Sequence, residues 1–421
     1  MIELNNEQAA ALEAIEKWLK PEDVEQFFVL SGSAGTGKTT LVRQLSDKMR
    51  GRLVFTAPTN KATRVLRQAV STPNYKPECR TIYSLLGLRL EANGEVKELT
   101  APEDPIDLSQ YRCVVVDEGS MVNENLRQHI KSAATLFNVK FLFLGDPAQL
   151  PPVGEVKSPI WRVKHGAALV KVMRHDNQIL ALATRLREQV DAPSPTIKIV
   201  NDHEADEGVW SLYPYELIER VRDEAQAGNL SRPDASKVIA WRNVTVDKYN
   251  RLARGTIFGA EAVQPWLAGD RVIFTAPAKD LADEQIAATD DEGLVERVTE
   301  AWHPEYSDFK VHNVTVTLDD NRVAVARVLH PEFEGPYKRR CEQYAEAAKL
   351  DKRKWRFFWD FKESFHSLRH AYAITAHRAQ GSTYDTALVD MRDILLNQTR
   401  REAFQCLYVA CTRPKKRLFV G

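Results

Sequence analysis

The sequence lacks the marks of a membrane or exported protein. No apolar run reaches the roughly 20 residues that a bilayer-spanning helix needs, and the opening Met1-Ile-Glu-Leu-Asn-Asn-Glu-Gln8 is polar, which predicts no signal peptide and no membrane partner. Net charge is missing as well. With 58 basic residues against 58 acidic ones, no overall positive field advertises nucleic acid, and any such binding must come from local patches. Cysteine is scarce: Cys79, Cys113, Cys341, Cys406 and Cys411 are odd in number, have no CxxC spacing, and several sit in apolar runs. That pattern excludes a disulfide framework or a zinc ribbon and predicts reduced core thiols in a cytoplasmic protein. Internal repeats and low-complexity tracts are absent too. What is present, 421 residues of which 43% are hydrophobic, supplies cores for two or more globular domains.

The most informative stretch is Gly32-Ser-Ala-Gly-Thr-Gly-Lys-Thr-Thr40, a complete GxxxxGK[ST] loop entered from the apolar run Phe27-Phe-Val-Leu30. A loop fed by a strand and opening a helix points backbone N–H groups and a helix N-terminus at one spot, which suits a polyphosphate. Gly32, Gly35 and Gly37 let the backbone curl around phosphates, Lys38 brings a point charge to the β and γ groups, and Thr39 puts its hydroxyl on Mg²⁺. Thr36 and Thr40 complete the nucleotide-binding stretch. Further on, the β-branched run Cys113-Val-Val-Val116 ends in Asp117-Glu118. Carboxylates at the carboxyl end of such a strand lie beside the phosphate loop, where Asp117 can hold Mg²⁺ and Glu118 can polarise the attacking water. ATP with Mg²⁺ is therefore the expected cofactor.

Hydrophobic periodicity predicts a helix over 9–20, a strand over 27–31, helix 38–50, strand 53–57, helix 60–70, strand 113–117, helix 123–135 and strand 139–145. This alternation specifies an α/β protein with a parallel sheet wrapped by helices. Residues 88–99 interrupt it with Asn93-Gly94 between alternating residues, a type I′ hairpin signal. A second α/β pattern starts near 174, with a helix over 176–190 and a strand over 238–241, and resumes at 371–375 and 417–420. Between them, 261–367 carries strand signals at 269–274, 311–317 and 322–329. A polar, basic, helix-prone stretch with an aromatic cluster follows at 336–366.

With these pieces placed, the chain resembles superfamily 1 helicases of the 5′-to-3′ class, the Dda-like and RecD-like group, over essentially its whole length. The motifs that carry the resemblance are Asn5-Asn-Glu-Gln8, the phosphate loop, Ala57-Pro-Thr-Asn-Lys-Ala-Thr63, Thr81-Ile-Tyr-Ser-Leu-Leu-Gly87, Val116-Asp-Glu-Gly-Ser120, Leu144-Gly-Asp-Pro-Ala-Gln-Leu-Pro-Pro-Val153, Val172-Met-Arg174, Thr375-Ala-His-Arg-Ala-Gln-Gly381 and Leu407-Tyr-Val-Ala-Cys-Thr-Arg413. The resemblance implies two RecA-like P-loop domains, the first formed by 1–87 and 112–173 and the second by 174–260 and 368–421. It also implies a pin hairpin at 88–111 and an SH3-like barrel with a helical tower at 261–367.

By the same resemblance Gln8 recognises adenine and Gln149 senses the γ-phosphate. Arg174 and Arg413 are arginine fingers, reaching the phosphate when the cleft shuts, and Gln380 and Gly381 lie at that cleft. The DNA track takes Pro58, Thr59, Asn60 and Lys61, where a helix begins at the end of a strand, together with Thr81, Thr375 and His377. Tyr83 joins the track either as a hydrogen-bond donor or by stacking on a base. The implied activity is ATP-dependent unwinding of DNA by a monomer on single strands and duplex junctions, with a single-strand-binding protein or other replication and recombination proteins as possible partners. Two alternatives stay open: an RNA or RNA–DNA hybrid helicase, and an ATP-dependent clamp that binds DNA without travelling. The hairpin, whose tip at Asn93 and Gly94 has no aromatic, is either a wedge or a brace for the tower. The tower aromatics read as its own core or its contact with the pin rather than as a platform for bases.

Overall fold

The computed structural model describes residues 4–93, 96–171 and 178–421. The first strands are β1 (Phe27–Gly32), β2 (Leu53–Ala57), β3 (Glu78–Thr81), the hairpin pair β4 (Arg89–Asn93) and β5 (Val96–Thr100), β6 (Cys113–Val116), β7 (Lys140–Gly145) and β8 (Gly166–Leu169), of which β1, β2, β6 and β7 are the apolar β-branched and aromatic runs. All but the hairpin pair form one sheet in the order β3-β2-β6-β7-β1-β8, with every neighbouring pair parallel. Every residue of β6 is fully buried, as a continuous apolar strand requires when helices cover both faces. The helices α1 (Asn6–Trp18), α2 (Lys38–Lys48) and α3 (Asn60–Val70) pack Ile15, Leu41, Leu45 and Leu66 on one face of the sheet. The helix Glu124–Phe137 packs Leu126 and Ile130 on the other.

A second sheet runs in the order Ala373–Thr375, Ser236–Ala240, Tyr384–Val389, Pro414–Val420, Glu207–Ser211, Asp202–Glu204, and is parallel except at its last edge strand. Between its strands in the sequence stands a five-stranded antiparallel sheet built from Arg271–Phe274, Glu292–Trp302, Lys310–Leu318, Val323–Leu329 and Leu368–His370. The helices Glu334–Leu350 and Trp355–Ser364 stand between its strands Val323–Leu329 and Leu368–His370 in the sequence, and Phe361 and Phe365 close with Phe309 and Val311 into one core. Among the described residues no helix is long and apolar enough to cross a membrane.

Periodicity does not reveal β3, β8, Glu207–Ser211, Tyr384–Val389 or the eleven-residue strand Glu292–Trp302. The long strand escapes because its register shifts between Val295 and Arg297, which breaks the alternation that would reveal it. In the hairpin, Asn93 pairs with Val96. Asn93 is thus the last strand residue rather than a turn centre, and Gly94 lies outside the described residues. Residues beyond Thr100 leave the hairpin, and Leu108 and Tyr111 are buried in the core under the first sheet.

Candidate active site

The carboxyl ends of β1, β6 and β7 meet at one edge of the first sheet, where ligands of open α/β sheets bind. The loop after β1 is shaped for close approach. Gly35 and Gly37 have φ of +81° and +86°, and a Cβ on Gly37 would sit 2.3 Å from Gln8 Nε2. Gln8 is buried; its Nε2 donates to the Thr36 carbonyl at 3.0 Å, and its Oε1 closes a capping box with Asn5. Its amide therefore clamps the loop against α1. Thr36 is fully buried and donates to the Ser33 carbonyl at 2.9 Å, so its side chain shapes the loop from within. Lys38 Nζ lies across the loop, donating to the carbonyls of Gly32 (2.6 Å) and Ser33 (3.0 Å). Thr39 and Thr40 stand half-buried in the first turn of α2.

Two carboxylates follow β6. Burial first, and then the neighbouring Asp117 charge, push the Glu118 carboxyl up to about 7, while burial raises Asp117 as well. Burial lowers the Lys38 ammonium, against the pull of Asp146, Asp117 and Glu118. Glu118 also holds a left-handed backbone, φ 51° and ψ 41°, a strained position for a non-glycine residue and one often found at functional sites. The donor set fits a hard divalent cation: a hydroxyl at Thr39 and carboxylates that burial leaves short of solvation.

Groups from the second sheet close over this edge. Arg413 is buried; its guanidinium donates to the carbonyls of Val409 (2.9 Å) and Ser382 (3.2 Å) and to Thr412 Oγ1 (2.7 Å), and its charge acts on Glu118. Gln380 Nε2 donates to Gln149 Oε1 and Ser120 Oγ, each at 3.3 Å, so glutamines of the two α/β units touch. Gly381, at φ +72°, lies so near α3 that a Cβ would come within 2.9 Å of Ala62. The structure thus brings Lys38, Asp117, Glu118, Gln149, Gln380, Gly381 and Arg413 to one cleft. Arg174 falls outside the described residues.

Three residues at this cleft were missed. Asp146 is fully buried and accepts from Tyr408 Oη at 2.5 Å and from Arg187 Nε at 3.2 Å. Tyr408 in turn receives the Ala34 backbone N–H of the phosphate loop at 3.4 Å. Asp146 and Tyr408 stand inside quoted motifs, and an acid following a strand beside β1 was a usable signal. Arg187 is one arginine in an ordinary helical run and had no signal.

The expected DNA-contacting residues are spread over two unit edges. Pro58 is buried; Thr59, Thr81 and Thr375 each cap a helix, accepting from Ala62 N (3.1 Å), Ser84 N (3.1 Å) and Arg378 N (3.3 Å). Tyr83 packs half-buried against the first core, and burial raises its hydroxyl pKa. His377 stands 3.6 Å from Glu402, with burial lowering its pKa. Asn60 donates to Asp291 at 3.3 Å. Lys61 is paired in this structure. Its ammonium pairs with Glu292 at 3.0 Å and Tyr384 Oη at 2.8 Å; burial opposes its charge, yet Glu292 and Tyr384 hold its pKa above the ordinary value.

The chain is similar to known proteins along its whole length. Residues 3–206 match the family model of an AAA domain, and residues 370–420 match that of a UvrD-like helicase C-terminal domain. The ATP-dependent DNA helicase dda of Enterobacteria phage T4 is 25% identical over 457 residues, covering 99% of each chain. The ATP-dependent RecD2 DNA helicase of Deinococcus radiodurans is 26% identical over 172 residues, 40% of this chain and 21% of that protein. The crystal structure of a Bacteroides Pif1 helicase in complex with ADP-AlF3 and ssDNA shares the fold, with a TM-score of 0.52 at 16% identity, covering all of this chain and 92% of that one. These matches make the chain similar to ATP-dependent DNA helicases of the Dda and RecD type.

Proposed function

We propose that this protein is an ATP-dependent DNA helicase that travels 5′ to 3′ on single-stranded DNA and separates duplex ahead of it. The observation that carries the reading is the cross-unit cleft: Lys38, Asp117, Glu118 and Gln149 stand on the first sheet, while from the second the Arg413 charge acts on Glu118 and Gln380 bonds Gln149. Hydrolysis needs both walls, so closing and reopening the cleft follow the state of the γ-phosphate. Mg²⁺, held by Thr39 and Asp117, would neutralise charge developing on the phosphates. Lys38 then leaves its loop carbonyls for the phosphates, Glu118 orients and deprotonates water, and Gln149 passes the change to Gln380. The full hydrolytic set argues against a static clamp, which has no need of a base and a cross-unit arginine.

The reading is tested by ATP hydrolysis with polydeoxythymidine and polyuridine as separate activators. Strong stimulation by DNA and little by RNA is expected; the reverse order would make the protein an RNA motor.

The hairpin β4–β5 is proposed as the separating pin. Its base packs Leu99 on the first core, with His129 Nε2 3.0 Å from the Leu99 carbonyl, and its outer part meets the helical part of the insertion, where Lys97 pairs with Glu363 and lies 5.2 Å from the Trp359 ring centre. Replacing residues 90–97 by a short Gly-Ser turn is expected to leave DNA-stimulated ATP hydrolysis unchanged and to abolish unwinding of forked duplexes. Unwinding at the wild-type rate would make the hairpin a brace for the insertion.

A further inference from the structure

Between α3, β3 and the antiparallel sheet lies a cavity of about 370 Å³ with Arg64, Arg67 and Arg80 on one side and Asp291, Asp319 and Asp320 on the other. These and the neighbouring Lys61 are not held alike. Lys61 is fixed: Glu292, itself buried, also takes Lys237 and Arg271 at 2.9 Å each, so this carboxylate anchors the insertion to both α/β units. Arg67 donates to the Cys79 carbonyl at 2.7 Å, and Arg80 pairs with Glu78 two residues away. Arg64 is held loosely. Its guanidinium is 3.3 Å from Asp234, which precedes the second-sheet strand Ser236–Ala240, and 3.8 Å from Asp319 of the insertion, and the side chain is 25% exposed. The Asp234 contact is long and wet and contributes little, and Asp319 is already held by two Arg271 hydrogen bonds at 2.5 Å, whereas a guanidinium fork matches a phosphate.

Resting on the DNA-motor reading, we propose that Arg64 binds a backbone phosphate of the single strand, and that Asp234 is an internal competitor which the phosphate displaces. Arg64 stands four residues after Asn60, on the same face of α3, so a strand lying over the start of that helix reaches it. Asp234 comes from the second unit, so exchanging it for a phosphate loosens that unit's tie to α3 as the strand enters, while Lys61 and Glu292 keep the insertion in place.

The test is fluorescence anisotropy of a labelled oligothymidine over a range of salt for wild type, Arg64→Ala and Asp234→Asn, with thermal melts to check folding. Asp234 has a φ of +57°, which asparagine adopts readily, so its replacement keeps the backbone. Arg64→Ala is expected to bind about three- to tenfold more weakly, with a salt slope smaller by about 1. Asp234→Asn is expected to bind about three- to tenfold more tightly, most visibly at low salt. Opposite signs are the signature of competition. A merely structural ion pair would shift both variants the same way and overturn the proposal, and unchanged binding in either variant overturns the role given to that residue. If the wild type itself does not bind the oligonucleotide, the DNA-motor reading falls, and this assignment with it.

Discussion

Arg413→Ala is expected to lower ATP turnover about a thousandfold or more while changing ATP affinity far less. The side chain is preorganised: three hydrogen bonds fix its guanidinium, and it is 6% exposed. A cation held in place pays no reorganisation as charge builds on the γ-phosphate, so its contribution falls on the transition state rather than on binding. A thousandfold corresponds to about 4 kcal/mol of barrier. Arg413→Lys should recover little, because an ammonium cannot reproduce the fork that spans Val409, Ser382 and Thr412. Turnover, the Michaelis constant for ATP and the melting temperature separate the possibilities. Parallel loss of affinity and turnover, or a collapsed melting temperature, would make Arg413 a structural cation.

Glu118→Gln is expected to reduce turnover by about a hundred- to ten-thousandfold, the range for a lost general base, with ATP still bound. The wild-type carboxyl sits near 7 because burial and Asp117 disfavour its charge. Only the ionised form accepts a proton from water, so kcat/KM for ATP should rise with pH through about 7, and the variant should lack that limb. Stability carries the opposite sign. Between the ordinary 4.5 and about 7 the folded state binds more protons at this site than the unfolded state does, so stability falls as pH rises. The melting temperature of wild type relative to Glu118→Gln should therefore drop across that window. A pH-independent difference would place the base elsewhere.

How much of this was legible in the sequence depended on whether a residue's work is local. The phosphate loop, β6 and the acids after it are contiguous, and a local rule fixes each: glycines where φ must be positive, a β-branched run where both faces are covered, carboxylates at a strand's end. The hairpin was visible for the same reason, although its register moved Asn93 into the strand. The strand Glu292–Trp302 was hidden by its bulge. The pairing of Lys61 was not legible because its partner Glu292 lies 231 residues away on the insertion, and no local pattern shows that a lysine is already paired. Arg187 and the Tyr408–Asp146 contact were invisible for the same reason, since they exist only once the second unit folds against the first.

If ATP hydrolysis at the cross-unit cleft drives one-directional strand separation, then unwinding of two matched duplexes, one with a 5′ single-stranded tail and one with a 3′ tail, should differ sharply between them and between wild type and Lys38→Ala. The expected result is ATP-dependent separation of the 5′-tailed duplex by wild type only, with the 3′-tailed duplex left intact and Lys38→Ala folded but inactive. Separation of neither duplex by a DNA-stimulated ATPase, or separation by Lys38→Ala at the wild-type rate, would contradict it.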